Sequence, residues 1–252
     1  MTISIYILLF ILGVLLGSFL SVLIHRLHTG EKGIILGSSF CPKCNKKLSP
    51  LELIPLISYL LQKGKCKKCK KHIAWHYPVL ELSTGLLFVV IAMTGFTPLP
   101  IYLGFTLIFV FIFFYDLLYQ EIPDEIMLPA IILAAVSTLH PETITFLDGL
   151  YGALALTLFF LAQIIISRGK WIGGGDLRIG AFMGFVLGLK LTILASFFGY
   201  LVGAIISVGL LITGKADRKT MIAFGPFLII GTLIALFYGQ QLVDWYLNLI
   251  VL

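Results

Sequence analysis

Residues 100–119 read "PIYLGFTLIFVFIFFYDLLY", an apolar run that contains one acidic residue near its end. A helix needs about 20 apolar residues to cross the roughly 30 Å hydrocarbon core of a bilayer, and this run has that length. The rest of the chain is similar, because 59% of its 252 residues are hydrophobic and only 12% are charged. Such a composition lies outside the range of soluble globular proteins. The sequence therefore predicts an all-α polytopic membrane protein.

Comparable apolar runs occur along the whole chain and together predict about eight transmembrane helices. The first run has no basic segment before it and no small-residue cleavage site after it, so we interpret it as a retained helix and not a signal peptide. The predicted spans are residues 3–24, 78–95, 100–119, 126–140, 146–166, 179–189, 191–213 and 224–239.

The basic residues are distributed unevenly around these spans. They start at Arg26, directly after the first span, so the positive-inside rule places residues 26–77 in the cytoplasm and the N-terminus outside. This topology leaves Lys190 as the only one of the 18 Lys and Arg residues on the far side. It also accounts for the net charge of +6, so we predict no nucleic-acid partner. The predicted divisions are a first helix in 1–25, a polar insert in 26–77 and a helical bundle in 78–252.

All four cysteines lie in the insert, in "CPKC" at 41–44 and "CKKC" at 66–69, with 21 residues between the pairs. Two CxxC knuckles at such a separation are typical of zinc ribbons, in which four thiolates surround the ion at about 2.3 Å. Four protein ligands close the coordination shell, so the predicted role of the zinc is structural. The predicted ligands are Cys41, Cys44, Cys66 and Cys69.

Other interpretations of the insert exist. Two disulfides or a redox relay are alternatives to zinc, although the predicted cytoplasmic side argues against stable disulfides. His72 and His76 lie close enough in sequence to be substitute ligands. Between the knuckles, residues 49–62 read "SPLELIPLISYLLQ", which is typical of a short amphipathic segment lying against the bilayer or the bundle.

Two aspartates stand near the ends of predicted spans. Asp116 closes a span that runs inward, and Asp176 opens one that runs outward, so both carboxylates are expected near the cytoplasmic face. An ionised carboxylate inside a bilayer costs about 2.5 to 3.5 kcal/mol on insertion scales, which makes such residues functional candidates. Two neighbouring carboxylates can share one proton and activate water, as in aspartic proteases. Asp124 follows Pro123 and is predicted to cap the next helix.

Three glycines, Gly173, Gly174 and Gly175, directly precede Asp176. Without side chains they would let an extended peptide approach the backbone beside the aspartate. The alternative is a flexible turn that Asp176 caps, with the side chain of Arg178 reaching the lipid headgroups.

These motifs, taken together, resemble those of the prepilin peptidases, also called type IV leader peptidases, of the GxGD class of intramembrane aspartic proteases. The resemblance covers nearly the whole chain and follows one order. The matching segments are "GSFLSVLIHRL" at 17–27, the two CxxC knuckles, "YPVLELSTGLLF" at 77–88, "YDLLYQEIPDEI" at 115–126, "GGGDLRIGAFMG" at 173–184 and "FGPFLIIG" at 224–231.

The resemblance implies a bacterial inner-membrane endopeptidase with Asp116 and Asp176 as its catalytic pair, supported at the substrate loop by the glycines and Arg178. It implies that precursors of type IV pilins or pseudopilins, for pili or secretion, are cut after a glycine on the cytoplasmic side. Members with the cysteine insert commonly also N-methylate the new terminus with S-adenosylmethionine. By family position, Glu81 and Gly85 are candidates for that second site, although Glu81 is also explained as a helix-end carboxylate.

Two residues depart from the family pattern: Arg178 stands where Lys is usual, and Ser21 stands where Asn is common. An arginine keeps the positive charge but changes the donor geometry. Two rival interpretations remain open. A transporter could use the two carboxylates to carry protons or cations, but this would not explain the glycines or the cysteine insert. A methyltransferase with a vestigial protease half is the other.

Overall fold

The computed structural model describes residues 2–30, 37, 39–215, 217 and 220–250. Residues 31–36 and 38 of the predicted insert, and residues 216, 218 and 219, lie outside the described residues. The described chain is helical, and its only strand-like pairing consists of two isolated antiparallel bridges in the insert. Its α-helices are α1 (Ile3–Thr29), α2 (Ile57–Leu61), α3 (His76–Thr94), α4 (Leu99–Tyr119), α5 (Asp124–Ser137), α6 (Phe146–Ser167), α7 (Gly174–Ile212) and α8 (Gly225–Ile250).

Six of these helices are long and apolar enough to cross a membrane: α1, α3, α4, α6, α7 and α8. The prediction of an all-α polytopic membrane protein is therefore confirmed, but the helix count differs from about eight. The predicted span at 126–140 corresponds to α5, which has only 14 residues. The predicted spans at 179–189 and 191–213 both lie within α7, which a non-helical residue at Gly188 divides close to the predicted boundary.

Helix α7 is interrupted at Gly188, whose φ of 75° and ψ of 173° are not helical. Asp148, in the first turn of α6, accepts a hydrogen bond from the N–H of Leu189 at 3.1 Å. That N–H starts the second part of α7 and would otherwise have no helical partner. A side chain at position 188 would collide with the Asp148 carboxylate. The break therefore depends on a glycine with a positive φ and on an acidic partner from the neighbouring helix.

The chain forms two compact units, residues 1–114 and 115–252. In the first unit α1 packs on α3, and the backbones approach closely at Gly13 and Gly85. In the second unit α7 packs on α5, α6 and α8. Glycines again allow the close approach, since Gly184 meets the backbone of α6 at Ala153. Small residues at such contacts are typical of helices that associate in membranes.

Candidate active site and metal centre

Asp116 lies in the last turn of α4, and this turn belongs to the second unit. Only 6% of the surface of Asp116 is exposed. Its Oδ2 accepts a hydrogen bond from the backbone N–H of Gly225 at 2.8 Å. Gly225 is the first residue of α8, so the carboxylate stands at a helix N-terminus, where unpaired N–H groups attract negative charge. The chain just before α8 is also tied to this region, because the Gln120 amide donates to the carbonyl of Met221 at 3.2 Å.

Asp176 is the third residue of α7, and 7% of its surface is exposed. Its Oδ2 accepts the N–H of Gly173 at 3.2 Å, which closes the start of the helix. The adjacent glycines have different surroundings. A side chain at Gly173 or Gly174 would meet open space, whereas one at Gly175 would press on Ile122 at 2.9 Å. Gly175 is therefore a packing contact, and Gly173 and Gly174 form an accessible backbone edge beside Asp176.

The structure brings the two carboxylates together within the second unit. The Cβ of an alanine at position 225 would lie 2.7 Å from Oδ2 of Asp116 and 3.1 Å from Cδ1 of Ile179. Ile179 follows Asp176 by three residues, so it lies on the same face of α7. The carboxylate of Asp116 therefore lies towards the face of α7 that carries Asp176. Two buried carboxylates from α4 and α7 thus converge at the N-terminal end of α8.

Arg178 and Asp124 form a bidentate ion pair. Nη1 of Arg178 lies 2.6 Å from Oδ1 of Asp124, and Nη2 donates to Oδ2 at 2.8 Å. Asp124 begins α5, as predicted, but its predicted capping role is not observed: Pro123 is the N-cap residue and no side chain caps this helix. The carboxylate instead joins the start of α5 to the start of α7. Planar guanidinium and carboxylate groups favour this parallel geometry, which a lysine could not reproduce.

A polar pair beside this site was missed from the sequence. Gln163 of α6 and Tyr200 of α7 are joined by side-chain hydrogen bonds of 2.8 and 3.0 Å. The ring of Tyr200 lies 4.9 Å from that of Phe224, the residue before Gly225. The signal was a glutamine inside the apolar run 146–166, because an amide in a span needs a polar partner. The role of Gly225 had no such signal, because its contribution is a backbone N–H.

The four cysteines form one cluster, in which all four sulfurs lie within 4.8 Å of one another. The Sγ atoms of Cys41 and Cys69, and those of Cys44 and Cys66, are 4.0 Å apart. A tetrahedral zinc site with bonds of about 2.3 Å has sulfur–sulfur edges of about 3.8 Å. A disulfide requires about 2.05 Å, so the disulfide alternative does not fit. Among the described residues the cluster contains only these cysteines, and His72 and His76 are not part of it.

The backbone of both knuckles suits metal ligation. The N–H of Asn45 donates to the carbonyl of Cys41, and the N–H of Lys70 donates to that of Cys66, both at 2.9 Å. The pKa values of the clustered thiols shift in opposite directions: backbone hydrogen bonds at Cys69 and Lys68 lower that of Cys66 to about 6. Against the backbone hydrogen bond at Lys46, burial and the neighbouring thiols raise the pKa of Cys44 to about 11. The donor set and its spacing therefore fit a structural zinc ion.

Glu81 and Gly85 lie in α3, away from the aspartates in sequence and in the other compact unit. Oε2 of Glu81 accepts the N–H of Leu56 at 2.8 Å, and the side chain also hydrogen bonds to Ser18. Gly85 faces α1, where an added side chain would collide with Val14 and Phe10. These surroundings show that Glu81 joins α1, α3 and the insert, and that Gly85 permits the helices to approach.

The fold and the site define a class: polytopic helical membrane proteins with a buried aspartate pair and a four-cysteine insert. Comparison with known proteins gives the particular family. Residues 11–95 match the bacterial Peptidase A24 N-terminal domain, and residues 102–208 match the Type IV leader peptidase family. The chain belongs to the Type IV leader peptidase family, and the resemblance noted in the sequence is confirmed.

Relatives from several bacteria carry the name prepilin leader peptidase/N-methyltransferase. The Bacillus subtilis protein is 33% identical over 96% of this chain and 97% of its own length. The Aeromonas salmonicida protein is 32% identical over 97% and 94% of the two chains. The Pseudomonas aeruginosa protein is 33% identical over 94% and 92%. No solved structure matches this chain.

Proposed function

We propose that this protein is a bacterial inner-membrane endopeptidase that cleaves precursors of type IV pilins or pseudopilins after a glycine. Asp116 and Asp176 are its catalytic pair. The observation that carries this proposal is the convergence of two buried carboxylates beside an open glycine backbone, in a chain of the Type IV leader peptidase family.

The chemistry follows from the pairing of the two acids. One carboxylate accepts a proton from a water molecule as its oxygen attacks the scissile carbonyl, and the other donates a proton to the departing amide nitrogen. Two adjacent carboxylates suit this exchange because repulsion favours a state in which they share one proton. The backbone N–H groups of Gly225 and Gly173 orient the two side chains before the substrate binds. Preorganised donors of this kind need no rearrangement during the reaction.

The substrate is positioned by the edge at Gly173 and Gly174, where open space leaves room for an extended peptide. Arg178 supports this loop by fixing the start of α7 to Asp124. Cleavage takes place on the cytoplasmic side, with the N-terminus of the protein outside, as the distribution of basic residues predicts. The precursor reaches the site laterally from the bilayer, since its hydrophobic helix remains in the membrane.

The second proposed activity is N-methylation of the new terminus with S-adenosylmethionine as the donor, which would supply an electrophilic methyl group. A depression in the insert is lined by three lysines and one glutamate and does not suit a positively charged sulfonium, so no residue is assigned to the donor. Glu81 serves this activity by holding the insert against α3, and Gly85 serves it by letting α3 pack closely on α1. Zinc on the four cysteines stabilises the insert, because small loops of this kind cannot build a sufficient core alone.

The test replaces each aspartate with asparagine, which keeps the size and removes the proton exchange. We expect Asp116→Asn and Asp176→Asn to lower cleavage of a precursor peptide in nanodiscs by at least about 1,000-fold. Asp244→Asn is the matched control, since Asp244 is exposed near the end of α8 and bonded to Gln240 of the same helix. Wild-type rates in both variants would exclude the pair. If both variants cleaved normally but had lost a proton flux that the wild type shows, the transporter interpretation would be favoured.

A further inference from the structure

The insert carries an apolar segment that the described part of the chain leaves uncovered. Residues 51–61, hereafter the apolar segment, contain the short 3-10 turn Pro50–Glu52 in part and the whole of α2. The most exposed side chains are those of Leu51 at 71%, Leu60 at 73% and Leu61 at 80%. Leu53, Ile54 and Ile57 are also exposed. Exposed apolar groups in such density mark an interaction surface.

The depth of this segment is fixed by Glu81. The N–H of Leu56, in the middle of the segment, donates to Oε2 of Glu81. Glu81 is the sixth residue of α3, a helix long enough to cross a membrane, so it lies about 8 Å from the helix start at 1.5 Å per residue. Trp75, which is 60% exposed, immediately precedes that helix, and tryptophan is typical of the membrane–water interface. The apolar segment is therefore held at the level of the lipid headgroups and upper acyl chains.

A basic depression adjoins the apolar segment. It has a volume of about 500 Å³ and is lined by Lys46, Lys47, Leu48, Ser49, Pro50, Glu52 and Lys67. Lys46 pairs with Glu52 at 2.7 Å, whereas no ion pair of Lys47 or Lys67 occurs among the described residues. The exposed Lys63, Lys65, Lys68, Lys70 and Lys71 add positive charge nearby in the chain. A cluster of lysines beside a membrane helix attracts anionic lipid.

We propose that the insert is a binding site for an anionic phospholipid of the adjoining leaflet. The phosphate headgroup occupies the basic depression, and the acyl chains lie along the apolar segment. Both parts belong to one site because Pro50 and Glu52, which line the depression, flank the exposed Leu51 in the chain. The two cysteine pairs that would hold zinc flank the segment in the chain, so metal binding would also fix the lipid site. This inference does not depend on the proposed peptidase or methyltransferase activity.

The experiment places a photo-crosslinking benzoylphenylalanine at Leu61 of the full chain in nanodiscs of phosphatidylcholine with one quarter phosphatidylglycerol. Mass spectrometry then identifies what is attached. We expect lipid adducts, as for a probe at Met93, which is 68% exposed in the membrane helix α3. A probe at the exposed loop residue Glu142 should give none. Adducts to peptides from residues 115–252, or to an added pilin precursor, would overturn the proposal by naming another occupant.

The lysine component has its own variants. In the wild type we expect phosphatidylglycerol to be enriched in the adducts over its share of the mixture. Lys47→Gln should lower the ratio of phosphatidylglycerol to phosphatidylcholine adducts about fivefold, whereas Lys47→Arg should retain it. Zinc content, measured in parallel, checks that both variants keep the insert folded. A wild-type ratio equal to the bulk mixture would overturn the headgroup site.

Discussion

Gly225 contributes to the aspartate site through its backbone alone. Its N–H contacts Oδ2 of Asp116, and the space where a side chain would start is occupied by that same carboxylate. A larger residue cannot be accommodated by a rotamer change of its own, because the first carbon already collides. The position therefore couples the start of α8 directly to the orientation of Asp116.

Gly225→Ala should displace the Asp116 carboxylate and reduce cleavage by about 100-fold, because shifts of about 1 Å at a reacting group have effects of that size. The matched control is Gly209→Ala, since Gly209 lies in α7 and an added carbon there meets nothing within 4 Å. Single-turnover cleavage rates and thermal stability should be measured for both. Unchanged cleavage by the Gly225 variant would remove this residue from the site.

Single residues differ in how well the sequence predicts them. Asp116, Asp176 and the four cysteines stand out because a charge in an apolar run, or paired CxxC knuckles, is rarely accidental. The Arg178 pairing with Asp124 was not predicted, because it depends on how the starts of two helices meet. Tertiary contacts between distant segments leave no local pattern in a single sequence.

The insert, as an element, depends on a buried ion pair besides its metal. The Glu52 side chain is only 2% exposed, and it binds Lys46 and the N–H of Ser49 at 3.0 Å. The hydrogen bond from Lys46, followed by that from Ser49, lowers the pKa of Glu52 to about 2. Because this lies below the unfolded value of about 4.3, ionised Glu52 favours the folded insert. The contribution is complete at pH 7 and is lost as the pH falls through 4 toward 2.

Glu52→Gln should accordingly destabilise the insert at pH 7 by about 2 kcal/mol, the usual scale for hydrogen bonds to a charged group. The measurement is zinc release into a chromogenic chelator as urea is raised, in full-length protein. Glu142→Gln, at an exposed loop position, serves as the control and should match the wild type. Equal urea midpoints for Glu52→Gln and wild type would show that the ion pair does not support the metal site.

Helix boundaries were predicted less well than helix existence. Hydropathy located every long helix, since burial in lipid demands continuous apolar runs. It separated two runs near Lys190, and the structure has a break in α7 two residues earlier, at Gly188. The break is made by one backbone angle and by the Asp148 carboxylate of another helix, so hydropathy alone could not describe it.

At the scale of the whole molecule, the two proposed activities rest on different compact units. The cysteines and Glu81 lie in residues 1–114. Asp116 and Asp176 both lie in residues 115–252. Asp176→Asn should therefore stop cleavage but leave methylation of a pre-cut peptide near wild type, whereas Cys66→Ser should reduce methylation more than cleavage. Mass spectrometry of the peptide N-terminus with added S-adenosylmethionine measures both. Loss of both activities in Asp176→Asn would contradict this division.

The break in α7 also has a consequence for the lipid around the second unit. Before Gly188, α7 comprises residues 174–187, and the neighbouring α5 comprises 14 residues. At 1.5 Å per residue each segment is about 21 Å long, well short of the roughly 30 Å hydrocarbon core. The ion pair between Asp124 and Arg178 joins the N-terminal ends of the two segments. Together they form one helical surface that is shorter than the hydrocarbon core.

Such short helical segments create a hydrophobic mismatch, which the bilayer relieves by thinning beside them. Thinning would bring water and headgroups closer to Asp176, which lies in the first turn of α7. Cleavage should then be faster in nanodiscs with 14-carbon acyl chains than with 20-carbon chains, at equal protein stability. A cleavage rate that does not change with acyl-chain length would mean that neighbouring protein, and not a thinned bilayer, covers the ends of these short segments.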